Sequence, residues 1–211
     1  MTDDFLSNLQ QQARWSTAFH TFGSNHNTLI GLMVDWWVNS KALREAVEGA
    51  PWFASKAQGG DGACDAILLE QGVCKGILEV EGGYVEKGAK QEPLKKYLYA
   101  MDRLEKYFLP NDPDWKDLEF GIFLAYPTSG NHMRSFLPVN TFTEKGVIIT
   151  KSHPGMQLIL LVLDKKWDPQ TKGVRARKND SHDFYKGTPF RVSGVRIQDG
   201  EVKERRILVE A

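Results

Sequence analysis

The stretch Gly62-Ala63-Cys64-Asp65-Ala66-Ile67-Leu68-Leu69, the connection through Gln71-Gly72, and then Lys75-Gly76-Ile77-Leu78-Glu79-Val80-Glu81-Gly82-Gly83 decides how the chain is read. Residues 63–69 and 75–81 are β-type runs, and the short connection containing Gly72 predicts an antiparallel hairpin. Residues two apart on a strand share a face, so Glu79 and Glu81 point the same way as Ile77, while Leu78 and Val80 fill the other side. A turn near Gln71-Gly72 sets Asp65 opposite Glu79, and opposed residues project to one side. Three carboxylates are therefore expected to converge.

Outward from this hairpin, apolar residues Ile30, Met33, Val34, Trp37 and Val47 recur at helical spacing over residues 27–48. Asn27 is a capping residue, and Gly49 and Pro51 are breakers. Residues 52–57 form a candidate short strand before the glycine-rich turn 59–62. A second helix is expected over 92–108, with Leu94, Leu98, Met101, Leu104 and Phe108 in its stripe and Pro110 and Pro113 at its end. The unbroken apolar runs 120–126 and 157–163 read as strands buried on both faces, and 147–150 as a shorter strand. The tail, 190–197 and 201–209 about Asp199-Gly200, reads as a second hairpin. The order implies an α/β fold, a mixed β-sheet flanked by helices. No linker-like stretch divides the 211 residues, so one domain is expected, its core at about 27–165, followed by a basic segment and the hairpin within 166–211.

Composition narrows the function classes. The polar start, with Asp3 and Asp4, is unlike a secretory signal, and the longest strongly apolar run, 158–163, falls far short of the ~20 residues of a membrane helix. The expectation is a soluble, cytoplasmic protein without a membrane partner; the sequence leaves a homo-oligomer open. Two cysteines, Cys64 and Cys74, are expected as reduced thiols, and five dispersed histidines form no zinc pattern, so metal chemistry must use oxygen ligands. The formal net charge is zero, which disfavours binding nucleic acid through overall charge but not through a local patch. The most cationic stretch lies between Lys165 and Arg191, and within it residues 172–178 make a plausible phosphate-contact loop.

Three carboxylates facing one another across strands repel, and partial burial adds a desolvation cost. A divalent cation relieves both. Magnesium accepts carboxylates together with water and phosphate oxygens, so Asp65, Glu79 and Glu81 are the candidate metal ligands, with Mg²⁺ the expected cofactor and Mn²⁺ its substitute.

These residues resemble the core of the PD-(D/E)xK, or restriction-endonuclease-like, nucleases, whose pattern is an Asp, a turn, then hydrophobic residues and Glu-x-Lys. The resemblance spans about the central third of the chain, including the helices before and after the hairpin and the strand that follows. It implies a restriction-endonuclease-like fold and metal-dependent phosphodiester hydrolysis, with DNA as the expected partner. Asp65 and Glu79 would hold the metal, and Glu81 would hold metal and orient or deprotonate water. Glu81 departs from the pattern by standing where the family has lysine, as in some restriction enzymes that carry Glu-x-Glu. A metal-bound water polarised by Glu81, or a lysine from elsewhere, would then have to serve; Lys87, Lys90, Lys95 and Lys96 are the candidates by proximity, and Glu45 or Glu48 of the first helix could add an acid. The missing lysine also motivates an alternative, a nuclease fold without catalysis that serves as a binding or assembly module. A calcium-stabilised binding domain is a third. Trp36, Trp37 and Trp52 are expected in packing, and Ser129-Gly130-Asn131-His132 sits where loops over a sheet often bind ligands.

Overall fold

The computed structural model describes residues 5–15, 26–48, 64–83, 93–108, 116–127, 137–165 and 190–210. Among these residues seven strands lie side by side in one mixed sheet in chain order: β1 (Arg44–Glu48), β2 (Ala66–Glu70), β3 (Val73–Gly83), β4 (Phe120–Pro127), β5 (Gln157–Lys165), β6 (Phe190–Gln198) and β7 (Glu201–Glu210). β1, β2 and β3 run antiparallel in turn, β3, β4 and β5 run parallel, and β6 and β7 return antiparallel. The parallel pairs require crossovers, supplied by helices α3 (Pro93–Glu105) and α4 (Val139–Ser152). Helices α1 (Phe5–Gln12) and α2 (His26–Ser40) cover the opposite face. The tail hairpin extends the sheet by pairing β6 with β5.

Alternation along the strands divides the core in two. Leu78, Val80, Phe120, Ile122, Leu124, Ile159 and Leu161 pack toward α1 and α2, where Leu6, Leu9, Leu29, Met33, Trp36 and Trp37 are buried. Ile77, Phe123, Leu158, Leu160 and Val162 pack toward α3 and α4, against Tyr97, Met101, Leu104 and Phe142. Each such side chain contributes roughly 1.5–3 kcal/mol by leaving water, offset largely by the conformational entropy lost. The two-residue turn between β2 and β3 holds Gln71 at φ 55° and Gly72 at φ 74°, the left-handed pair that hairpin twist favours. Asp199 and Gly200 repeat that geometry at the tail.

Three expectations fail locally. The first helix does not reach Glu48: it stops at Ser40, the chain turns through Leu43 at φ 63°, and residues 44–48 form edge strand β1. The apolar stripe ends at Trp37, with Ser40 and Lys41 at the next helical contacts, so nothing apolar remains to hold a further turn on the sheet. Glu45 and Glu48 consequently lie exposed on an edge strand and supply no helix-borne acid. Residues 147–150, β-branched and strand-like by propensity, are the last turns of α4. Phe142, Gly146, Ile149 and Thr150 are buried at helical spacing, and packing overrides propensity. Gly146 allows this close approach, because a Cβ there would lie 2.6 Å from Ile197 Cδ1. The expected strand 52–57, the glycine turn 59–62, the loop 129–132 and the basic residues 172–178 lie outside the described residues.

Candidate functional site

β3 outruns β2. Its pairing with β2 begins at Ala66 opposite Leu78, so among the described residues 79–83 have a strand neighbour only in β4. This end of β3 coincides with the carboxyl ends of the parallel strands, the region where open α/β sheets place ligands. Glu79 and Glu81 stand there, buried on the face covered by α3, as the two-residue period requires. Ile77, one step back on the same face, is part of the apolar core against that helix.

α3 answers the two acids with two cations. Lys96 and Arg103 are seven residues apart, two helical turns, and so share a face. Lys96 Nζ lies 2.7 Å from Glu81 Oε1 and donates at 2.9 Å to the carbonyl of Gly82. Arg103 Nη2 donates to Glu79 Oε1 and lies 3.4 Å from Glu81 Oε2. One guanidinium nitrogen thus touches both carboxylates, marking a point on which Glu79 and Glu81 converge. Glu81 Oε1 also accepts the Gly82 N–H at 3.0 Å. The Glu79 side chain is only 3% exposed. Burial pushes its carboxyl up to about 8, against the pull of Arg103, and the charges of Asp65 and Glu81 add to the rise.

Asp65 immediately precedes β2, one residue before the Ala66–Leu78 pair. Its own N–H bonds the Leu78 carbonyl at 3.0 Å. Its carboxylate turns to the edge of β3 beyond the end of β2, where Oδ2 accepts the Val80 N–H at 2.6 Å. Oδ1 lies 3.3 Å from His26 Nε2, which also reaches the Val80 carbonyl at 3.0 Å. The His26 imidazole is held above its ordinary pKa, chiefly by the hydrogen bond to Asp65. Tyr126, near the end of β4, has its phenol pushed up to about 12 by burial and by the charges of Glu81 and Asp65.

The three predicted carboxylates thus gather at one end of β3, but only Glu79 and Glu81 share a contact. Among the described residues no group of three or more His, Cys, Asp and Glu side chains is arranged to hold a metal ion. The donor chemistry of Glu79 and Glu81 nevertheless suits a hard divalent cation, and Arg103 Nη2 already occupies the spot between them. Asp65 keeps unused lone pairs on both oxygens. Of the four candidate lysines, Lys96 reaches the acids, while Lys87 and Lys90 lie outside the described residues.

The sequence does not single out Arg103, and it offers His26 only as one of five dispersed histidines. Arg103 had a signal, a basic residue seven positions after Lys96 on the helix that must cover the Glu79 face. His26 had none, since its distance along the chain from Asp65 says nothing about their contact. The cysteines are free, Cys64 buried and Cys74 half-buried. No described helix is long and apolar enough to cross a membrane. No protein-family model, curated protein or solved structure matches the chain.

Proposed function

We propose that the chain is a metal-dependent nuclease of the restriction-endonuclease-like type that hydrolyses phosphodiester bonds in DNA, using Mg²⁺ or Mn²⁺. The observation that carries this reading is the convergence of Glu79 and Glu81 on one cationic nitrogen, at the carboxyl end of β3 with Asp65 beside it. The succession of helix α2, hairpin β2–β3, helix α3 and strand β4 supports it, being the order on which the family resemblance rests.

In this reading Glu79, Glu81 and Asp65 would hold the ion. When bound, the ion supplies Lewis-acid stabilisation of charge on the scissile phosphate and lowers the pKa of a coordinated water. Lys96 takes the part of the lysine missing from the strand: its ammonium, anchored on Glu81 and the Gly82 carbonyl and about half exposed, can orient a water or donate to a phosphate oxygen. Glu81 holds that lysine in place and accepts a proton from the attacking water. Arg103 gives up its place between the carboxylates and becomes a cation available to the substrate phosphate.

The test is incubation of the purified protein with plasmid and with single-stranded DNA, in magnesium, manganese or chelator, beside Glu79→Ala and Asp65→Ala. Metal-dependent cleavage by the parent alone is the expected result; cleavage retained in both variants removes the carboxylates from the mechanism.

A second reading, a nuclease-like fold without catalysis that acts as a binding or assembly module, is favoured by the same cations. Arg103 and Lys96 already neutralise Glu79 and Glu81, so the acids need no metal to be tolerated in a folded protein. Calorimetric titration with Mn²⁺ separates the two readings: one saturable site under the first, none under the second.

A further inference from the structure

Among the described residues the outer strands of the sheet are β1 and β7, and an outer strand turns a row of backbone N–H and C=O groups away from its neighbour. β7 is blunted: its register against β6 shifts twice, and Gln10 Nε2 donates to the Ile207 carbonyl at 3.2 Å. β1 has neither device among the described residues. It pairs with β2 in unbroken register over its whole length, and the bond from the Gln71 N–H to the Leu43 carbonyl at 2.9 Å fixes the phase. Residue 43 faces β2, so by alternation 45 and 47 do too, and the backbone groups of Arg44, Ala46 and Glu48 face outward.

We propose that β1 is a self-association edge: two copies of this chain pair β1 with β1, antiparallel about a two-fold axis at Ala46, so that the sheet continues from one copy into the other. Arg44-Glu45-Ala46-Val47-Glu48 is self-complementary in that register. Ala46 meets Ala46 of the second copy, and Arg44 meets its Glu48, once on each side of the axis. Those are the residues whose backbone groups face outward, so each of these pairs is of the hydrogen-bonded kind. The charges suit it as well. The Arg44 guanidinium lies 3.8 Å over the Trp37 ring, with Nε donating to Glu70 Oε2 at 3.2 Å and Nη1 to Ser40 Oγ, and Nη2 has no hydrogen-bond partner among the described residues. Glu48 is exposed and in no ion pair among the described residues, so the second copy's Glu48 supplies the carboxylate on the flank of Arg44 away from Glu70. On the other face Val47, 46% exposed, comes diagonally beside Val47 of the second copy. A slide of two residues, the next register in backbone phase, breaks both ion pairs, and in one direction it sets Glu45 against Glu45. The pairing needs no metal and does not depend on the nuclease reading.

Sedimentation velocity of the full chain over a concentration series, beside Ala46→Pro and Glu48→Arg, tests this. The Ala46 N–H faces outward, so proline there removes hydrogen bonds of the dimer and none of the β1–β2 ladder. Circular dichroism checks that each variant is folded. The parent should sediment as a concentration-dependent dimer and Ala46→Pro as a monomer. Glu48→Arg, with like charges opposed where the parent has ion pairs, should dimerise about ten-fold more weakly. That second variant keeps the test decisive if Ala46→Pro does not fold. A parent that stays monomeric up to about 100 μM overturns the proposal. So does a Glu48→Arg dimer as tight as the parent's, which would place the contact on a different surface.

Discussion

Lys96 Nζ lies 2.7 Å from Glu81 Oε1, so helix α3 returns to the end of β3 the positive charge that the strand itself lacks. Replacing Lys96 by Met should lower the cleavage rate by roughly 10²- to 10⁴-fold, the range for loss of a positioned acid or base. Stability should change little, because Lys96 is about half exposed and exposed ion pairs contribute little. Single-turnover cleavage beside a thermal melt checks both; an unimpaired rate would return Lys96 to the role of a surface residue.

Arg103 should bear on both stability and metal. Arg103→Gln leaves Glu79 buried without its partner, a change that costs up to about 3–5 kcal/mol when the acid stays charged. Glu79 can escape part of that cost by taking a proton, since its folded carboxyl already stands at about 8 against 4.5 in the open chain. The folded state then binds more protons than the unfolded one between those values, so stability must fall as pH rises from 4.5 through the folded pKa. The defect of Arg103→Gln is therefore expected to be largest above pH 8 and to shrink toward pH 4.5, and Glu79→Gln in the same chain should relieve it. Divalent-ion affinity should rise in Arg103→Gln, with the competing cation gone. Its Nε is buried with no hydrogen-bond partner among the described residues, so this guanidinium is not fully held where it sits. Denaturation at several pH values and Mn²⁺ calorimetry are the measurements; a pH-independent defect would contradict the assignment.

Gly76→Ala should destabilise by about 1–3 kcal/mol through overpacking. A Cβ at Gly76 would lie 2.2 Å from the ring of Phe120, its register partner on β4. That ring is fully buried and boxed in by Phe5 and Trp37, each with its ring centre 5.5 Å away, so it has nowhere to move. Urea denaturation gives the number, and a loss under about 0.5 kcal/mol would mean the ring yields.

The two cysteines should be inert in the folded protein. Burial pushes both thiols up to about 12, leaving almost no thiolate at pH values near 8. Alkylation with iodoacetamide is expected to run at least about 100-fold slower in the native protein than in guanidinium. Equal rates would show that the Cys64 and Cys74 segments open readily.

Much of the frame was legible in the chain because it follows from patterns with a short range. The alternation around Glu79-Val80-Glu81 gave both faces of β3, and Gly72 gave the turn; the irregularity between Leu68 and Leu69, which shifts the register by one residue beyond that turn, left no mark in the sequence. The unbroken apolar runs gave β4 and β5, buried at the centre of the sheet. Misreadings occurred where local preference and packing disagree. Val47 falls at helical spacing from the α2 stripe but belongs to β1, and the β-branched run 147–150 is helical because α4 has a sheet to lie on.

By itself, then, the sequence determined the mixed α/β frame, the shared face of Glu79 and Glu81, and the packing role of Trp36 and Trp37, since strand and helix periods act within a few residues. Tertiary structure alone decided how Lys96 and Arg103 divide those acids between them and where Asp65 directs its carboxylate. Lys96 and Arg103 share one face of a crossover helix, but which acid each meets depends on how that helix lies on the sheet; His26 comes from the other face, a contact that leaves no periodic trace.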